Sequence, residues 1–376
     1  MPRNSSVVKQ FYAATSSSPL PALSPVVEKD YTSPVREALD EMVIGQEDAK
    51  DAICEIDCVI RAGLAPNGRP AGSIFLLGPS GCGKTRLVES YAKALHGSVK
   101  HVLVVHCAEY SHGHEIAKIL GSPPGYLGHR DTIPFLSQSR MISVTSDRSP
   151  YSIVLFDEFE KAHADLQKLL LGVLDKGVLR LGDNNTVNFE RSIIFFTSNI
   201  GTEKINRLLS PEISGGIGYS RPELSEDEIS RKLSKLGVGE LSKEMKTELI
   251  NRLDKIVVCH PLTREDTRRI VALHLEETND FILSRWGVRS PEIKITPEAW
   301  ELIFEMSYDP RWGAREIKRV VQQQILLPIA RLSAVHGHGC LPDWKLTFTR
   351  GAAGVVMEAE QVSAPGTVRG KKAANY

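Results

Sequence analysis

Gly78-Pro79-Ser80-Gly81-Cys82-Gly83-Lys84-Thr85 satisfies the pattern G-x-x-x-x-G-K-[ST]. The chemistry of these residue types is phosphate binding. Glycines let backbone N–H groups converge on phosphate oxygens with no Cβ in the way. A lysine at this spacing reaches the β- and γ-phosphates, and the following hydroxyl ligates magnesium. The segment lies between the apolar run SIFLL and the helix-like TRLVESYAKAL, so its N–H groups sit at a helix N-terminus that favours anions. A second signal is Ile153-Val-Leu-Phe-Asp157-Glu158, an apolar run that ends in two carboxylates. Asp157 is placed to hold magnesium, directly or through water. Glu158 is placed to polarise an attacking water, which points to hydrolysis rather than transfer to an acceptor. By itself an acid pair of this kind is as readily a solvated loop. A third run, IIFFTSNIG, ends in Asn199, whose amide could orient the water. Alone, that asparagine is a turn former.

Positioning such groups takes a sheet with helical crossovers. Five short apolar runs, SIFLL, HVLVV, YSIVLF, SIIFF and KIVVC, are separated by helix-length segments. Runs rich in Ile and Val, bounded by Gly, Ser or Asp, suit strands buried on both faces. Right-handed crossovers then give a mostly parallel sheet. Apolar residues from Ala49 to Ile60 recur at three- and four-residue spacing, which predicts a helix over Gln46–Arg61. Beyond His260 the pattern becomes helical over Arg264–Trp286, Pro297–Met306 and Gly313–Val335, with one short strand at WKLTFT. The expected organisation is a flexible tail over 1–34, an α/β domain over 35–259, a mainly helical domain over 260–350 and a second flexible tail over 351–376.

Composition narrows the function. The 376 residues suggest two or three globular units at about 100–200 residues each. Lys plus Arg is 46 and Asp plus Glu is 46, a zero net charge that argues against a bulk nucleic-acid binder. No apolar run approaches the ~18–20 residues of a membrane span. The Ser-rich N-terminus lacks the apolar core of a secretory signal, although its shortage of acids before Glu28 loosely resembles an organelle transit peptide. Six scattered cysteines make no disulfide framework, so a reducing compartment, most simply the cytoplasm, is expected. Cys54 with Cys58, and His336 with His338 and Cys340, fall short of a four-ligand zinc set. Cys82 lies inside the phosphate loop, where oxidation would hinder nucleotide binding.

Taken in order, the motifs resemble those of AAA+ ATPases of the Clp branch, most closely the second ATPase module of ClpB-type disaggregases and Clp unfoldases. The resemblance runs from about Val43 to Thr349 and rests on VIGQEDA, GPSGCGKT, ILGSPPGYLG, VLFDEFEKAH, FTSNIG, ELINRLD and YDPRWGAREIKR. It implies a P-loop fold with a parallel five-stranded sheet core and a C-terminal helical small domain, with ATP and Mg2+ as ligands. By the same resemblance Val43 and Ile44 border the adenine, and Asn199 is the first sensor. Arg252 matches the arginine finger that reaches a neighbouring subunit, and Arg315 the second sensor. A homo-oligomeric ring, usually a hexamer, follows. Tyr126 and Leu127, flanked by Gly and Pro, match the pore loop that grips a translocating polypeptide, which implies an unfoldase or remodelling chaperone.

Three features depart from these relatives. No first ATPase ring, folded N-terminal domain or long coiled-coil insertion is evident. The stretch SQSRMISVTSDRSP looks longer than the family norm and is expected to be a surface loop. Ile217-Gly218-Tyr219 falls where protease-coupled unfoldases carry a docking tripeptide, with a tyrosine hydroxyl where an apolar pocket is expected. Docking to an adaptor or a barrel peptidase and a simple Gly-rich connector therefore both stand. The alternative function is a dedicated assembly or disassembly ATPase that switches one partner complex without threading it.

Overall fold

The computed structural model describes residues 34–121, 134–209, 226–287, 290–308, 313–336, 341, 344–352 and 354–361. Tyr126 and Leu127, and the tripeptide Ile217, Gly218 and Tyr219, lie outside the described residues.

The five apolar runs form five strands: β1 (Gly72–Leu77), β2 (Leu103–His106), β3 (Ser152–Asp157), β6 (Ser192–Ser198) and β7 (Lys255–Val258). A small antiparallel hairpin of β4 (Val178–Arg180) and β5 (Thr186–Asn188) lies between β3 and β6 in the chain. The five pair in parallel in the order β2-β3-β6-β1-β7. Strands β1 and β6 are buried along their whole length, which is why their sequences are unbroken apolar runs rather than alternating ones. Alternate residues feed two cores. Phe75, Phe156 and Phe196 face one side and stack in a row, with ring centroids 5.6 Å and 5.3 Å apart. Ile74, Leu76, Ile153, Leu155, Ile193 and Phe195 face the other.

That second face is covered by α1 (Pro34–Met42), α2 (Glu47–Arg61) and α3 (Lys84–His96), which bring Val35, Leu39, Ile53 and Tyr91 to it. The first face is covered mainly by α4 (Ala164–Lys176) and by α5 (Glu226–Glu244), through Leu166, Leu170, Leu233 and Leu241. The stretch expected as a polar surface loop lies mostly at the surface but is anchored to the core. It forms a short helix, Gln138–Ser143, and buries Met141 and Val144 in the core.

The small domain follows: α6 (Arg264–Trp286), β8 (Glu292–Ile295), α7 (Pro297–Ser307), α8 (Ala314–Val321), a π-helical turn, α9 (Leu327–Val335), β9 (Trp344–Arg350) and β10 (Val355–Gln361). The expected single strand is the centre of a three-stranded sheet ordered β10-β9-β8. The small domain thus extends past residue 350, where a fraying tail was expected: β10 pairs antiparallel with all of β9 and buries Met357 beside Leu346 and Phe348. The run Val355-Val356-Met357 of β10 is a strand signal, and Val355, Met357 and Ala359 alternate onto the small-domain core.

Candidate functional site

In a parallel open sheet, groups at the carboxyl ends of the strands converge on one edge. Four such ends meet here: Gly78 after β1, His106 closing β2, Asp157 closing β3 and Asn199 after β6. The phosphate loop turns on left-handed glycines, with φ of 147° at Gly78, 77° at Gly81 and 101° at Gly83. At Gly78 a Cβ would lie 2.6 Å from the Cys259 carbonyl oxygen, so no other residue fits. At Gly83 a Cβ would touch nothing within 4 Å, which leaves that face of the loop open.

Lys84 is buried at the head of α3, and its ammonium donates to the carbonyls of Gly78 at 2.7 Å and Pro79 at 2.8 Å and to Asn199 Oδ1 at 3.0 Å. The sensor-like asparagine and the loop lysine are therefore in direct contact. Thr85, one residue on, is exposed in the first turn of α3. The acid pair is held from the neighbouring strand: Thr197 donates its hydroxyl to Asp157 Oδ1 at 2.5 Å and accepts the Glu158 N–H at 3.1 Å. Glu158 has a left-handed backbone, φ 54°, and its carboxylate accepts from Lys161 Nζ at 2.6 Å. Glu160 turns back and accepts the Asn199 N–H at 3.3 Å. These contacts set the strand tips as one unit.

A residue that the sequence reading missed secures the loop from outside. Gln46, with a left-handed backbone, donates its amide to the carbonyls of Cys82 at 3.1 Å and His260 at 2.8 Å, and accepts the His260 N–H at 2.9 Å. Just before it, Val43 is buried in the large-domain core while Ile44 packs on the small-domain core. The segment expected to border the adenine thus runs along the junction of the two domains.

The small domain touches the loop directly. Gly313, φ 57°, lies so close that a Cβ would sit 2.7 Å from the Gly81 carbonyl oxygen, and the Ala314 N–H donates to that oxygen at 3.0 Å. Arg315 follows, exposed on the first turn of α8. Arg86 on α3 pairs with Glu277 on α6, whose carboxyl is held below its ordinary range first by His274 and then by Arg86.

Arg252 is not brought to this edge. It precedes β7, whose first residue, Lys255, pairs with Ile74, so it lies at the opposite end of the sheet from the phosphate loop. The length of β7 alone is about 13 Å at ~3.3 Å per residue. There its guanidinium pairs with Asp175 at the end of α4, Nε to Oδ1 3.1 Å.

The donor set suits a magnesium nucleotide. The loop supplies a buried ammonium and an open face at Gly83, and Thr85 and Asp157 are oxygen ligands of the kind that hard cations take.

Fold and site together define an AAA+ ATPase module. A family model described as "AAA domain (Cdc48 subfamily)" matches residues 69–256, and one described as the C-terminal, D2-small domain of ClpB protein matches residues 262–336. The chain belongs to the AAA ATPase family, with a small domain of the ClpB type. The chaperone protein ClpB of Meiothermus ruber is 35% identical over 304 residues, 81% of this chain and 33% of that protein. The chaperone protein ClpB of Staphylococcus aureus strain COL is 33% identical over 314 residues, 82% of this chain and 33% of that protein. The chain thus spans about a third of the length of these curated relatives. A closed-state cryo-EM reconstruction of Hsp104 with ATPγS and FITC casein is similar at a TM-score of 0.68 and 28% identity, covering 87% of this chain and 51% of that one. Among the described residues, no helix is long and apolar enough to cross a membrane.

Proposed function

We propose that the chain is the motor of a ring-forming protein-remodelling machine, which hydrolyses ATP and pulls polypeptide through an axial pore in a reducing compartment, most simply the cytoplasm. The observation that carries this reading is the double contact of the phosphate loop. Lys84 joins it to Asn199 in the large domain, and Gly81 joins it to Ala314 in the small one. A change at the γ-phosphate is felt on both sides of the domain junction, as a nucleotide-driven movement needs.

In this account Lys84 and the N–H groups of residues 81–84 bind the phosphates, and Thr85 and Asp157 hold magnesium. Magnesium held there would supply neutralisation of the charge on the phosphates. Val43 and Ile44 flank the adenine. Glu158 takes the proton from the attacking water, which requires its carboxylate to leave Lys161. Asn199 and Arg315 read the γ-phosphate from the same subunit. Arg252, at the far end of the sheet, serves a neighbouring copy in a ring, which we take to be a hexamer. Tyr126 and Leu127 grip the polypeptide by apolar and backbone contact that does not depend on sequence. The Hsp104 relative solved with a nucleotide analogue and casein supports both halves of the reading. The tripeptide Ile217, Gly218 and Tyr219 is the segment we assign to an adaptor or a barrel peptidase.

The test is ATP-dependent unfolding of a tagged fluorescent protein by the purified chain, with Tyr126→Ala alongside. Threading predicts that fluorescence is lost with the parent alone while both hydrolyse ATP. Equal unfolding by Tyr126→Ala would sink the threading model, and vigorous hydrolysis with no unfolding by either would favour a dedicated assembly factor.

A further inference from the structure

The chain that carries Arg252 is tied to the sheet two residues later. Asp254 stands opposite Ser73, one place before the first pair of β7 with β1, Lys255 with Ile74. Its Oδ2 accepts the Ser73 N–H at 2.8 Å and the Ser73 hydroxyl at 2.7 Å. The Asp254 N–H is shared between the Ser73 carbonyl oxygen at 3.1 Å and Ser73 Oγ at 3.0 Å. The second carboxylate oxygen, Oδ1, accepts from Arg69 Nη2 at 2.5 Å.

Arg69 also links this joint to the residue that holds the Arg252 guanidinium. A Cβ on Gly177 would lie 3.2 Å from the Arg69 Cα, so the chain before β1 passes against the end of α4. Two residues before Gly177, Asp175 pairs with Arg252. Arg252 Nη1 also donates to the Glu248 carbonyl at 2.8 Å. The arginine is thus held at its backbone through Asp254 and at its guanidinium through Asp175 and Glu248.

We propose that Asp254, clamped by Ser73 and Arg69, is a positioning residue that aims Arg252 at the ATP site of a neighbouring copy. This rests on the reading of Arg252 as an arginine finger supplied in trans.

The anchor suits that task. Strand β1 is buried along its whole length and paired on both sides, with β6 and with β7. Ser73, near its start, is 1% exposed and has no freedom to follow a moving loop. A carboxylate is the group that can serve both partners at once. It accepts the Ser73 donors on one oxygen and a guanidinium on the other, and charge-assisted bonds are roughly twice as strong as neutral ones. An amide at this position would turn an N–H toward one of these donors. Asp254 and Arg69 are 32% and 36% exposed, and ion pairs as open as this add little to folding stability. Loss of the pair is therefore felt first in where Arg252 points. A displacement of about 1 Å at a reacting centre costs about 10²-fold in rate.

The experiment separates aiming from folding by placing the same substitution on either side of a shared site. A Glu158→Gln copy supplies a finger that it cannot use, and an Arg252→Ala copy uses one that it cannot supply. Steady-state hydrolysis is measured for an equimolar reference mixture of the two, then with Asp254→Ala added to one copy or to the other. On the Glu158→Gln copy, Asp254→Ala is expected to lower hydrolysis about 10²-fold below the reference. On the Arg252→Ala copy, which has no finger to aim, that loss is expected to be absent. A merely structural Asp254 would lower both mixtures alike. Should Asp254→Ala misfold, Arg69→Met breaks the ion pair from the other side, and the same one-sided loss is expected. Equal rates with the substitution on either copy, whether high or low, overturn the proposal alone. A reference mixture that recovers no hydrolysis overturns the finger reading, and the proposal with it.

Discussion

Thr197 donates its hydroxyl to Asp157 across adjacent parallel strands at 2.5 Å, and the same oxygen accepts the N–H of Glu158 at 3.1 Å. One buried side chain on β6 thereby orients both acids at the tip of β3. Removing the hydroxyl while keeping the shape should loosen magnesium binding. Thr197→Val is expected to raise the Mg2+ concentration needed for half-maximal hydrolysis by about 10–100-fold, the range for partners of metal ligands. Thr197→Ser should restore it. A magnesium titration of the three proteins checks this, and equal curves would show that the contact is only structural.

Lys84 is committed to loop carbonyls and to Asn199, so phosphate binding must take over its ammonium. A ligand that binds only the folded chain stabilises it by about 2.7 kcal/mol at a hundredfold excess over its Kd. The melting temperature of the parent is therefore expected to rise with Mg-ATP, and that of Lys84→Ala to stay where it is. Thermal unfolding with and without nucleotide reads the difference.

His96 gives the fold a pH dependence away from the site. Its ring stacks on His101 with centroids 5.2 Å apart, Nδ1 meets Ser146 Oγ at 2.9 Å, and Nε2 is buried without a partner. Burial first, and then His101, lower its pKa from 6.5 to about 4. The folded chain therefore binds fewer protons here than the unfolded one between these values, so stability rises with pH across that window. The contribution is present above 6.5 and is lost as pH falls toward 4. Denaturant midpoints measured across the window should fall with acid in the parent, and fall less steeply in His96→Gln.

The loop after β1, the place of the acid pair at the end of β3 and the five core strands were legible because each is local: a run of neighbouring residues fixes the element. Gln46 and Thr197 were not. Gln46 is one letter of a motif, and its work is done on carbonyls 36 and 214 residues away. Thr197 is a polar residue inside an apolar run, and only the register of β3 against β6 shows what it faces. Strand β10 was passed over because its apolar residues, Val355 to Met357, are few and follow a Gly- and Ala-rich stretch. The stretch around Met141 is at the surface as its polar composition implies, and the short helix anchored by Met141 and Val144 is what composition did not show.

In the proposed ring an ATP site is shared, with Lys84, Asp157 and Glu158 from one copy and Arg252 from the next. Arg252 lies beyond the far end of β7 from its own phosphate loop and is held by Asp175 at 3.1 Å. A finger supplied in trans contributes roughly 10³–10⁵ in rate. The most direct measurement is steady-state ATP hydrolysis by Glu158→Gln, by Arg252→Ala and by an equimolar mixture of the two. Each variant alone should be nearly inactive while still binding ATP. The mixture should recover hydrolysis, because an Arg252→Ala copy keeps its own Glu158 and receives Arg252 from a Glu158→Gln neighbour. A mixture no more active than the mean of its components would contradict the account.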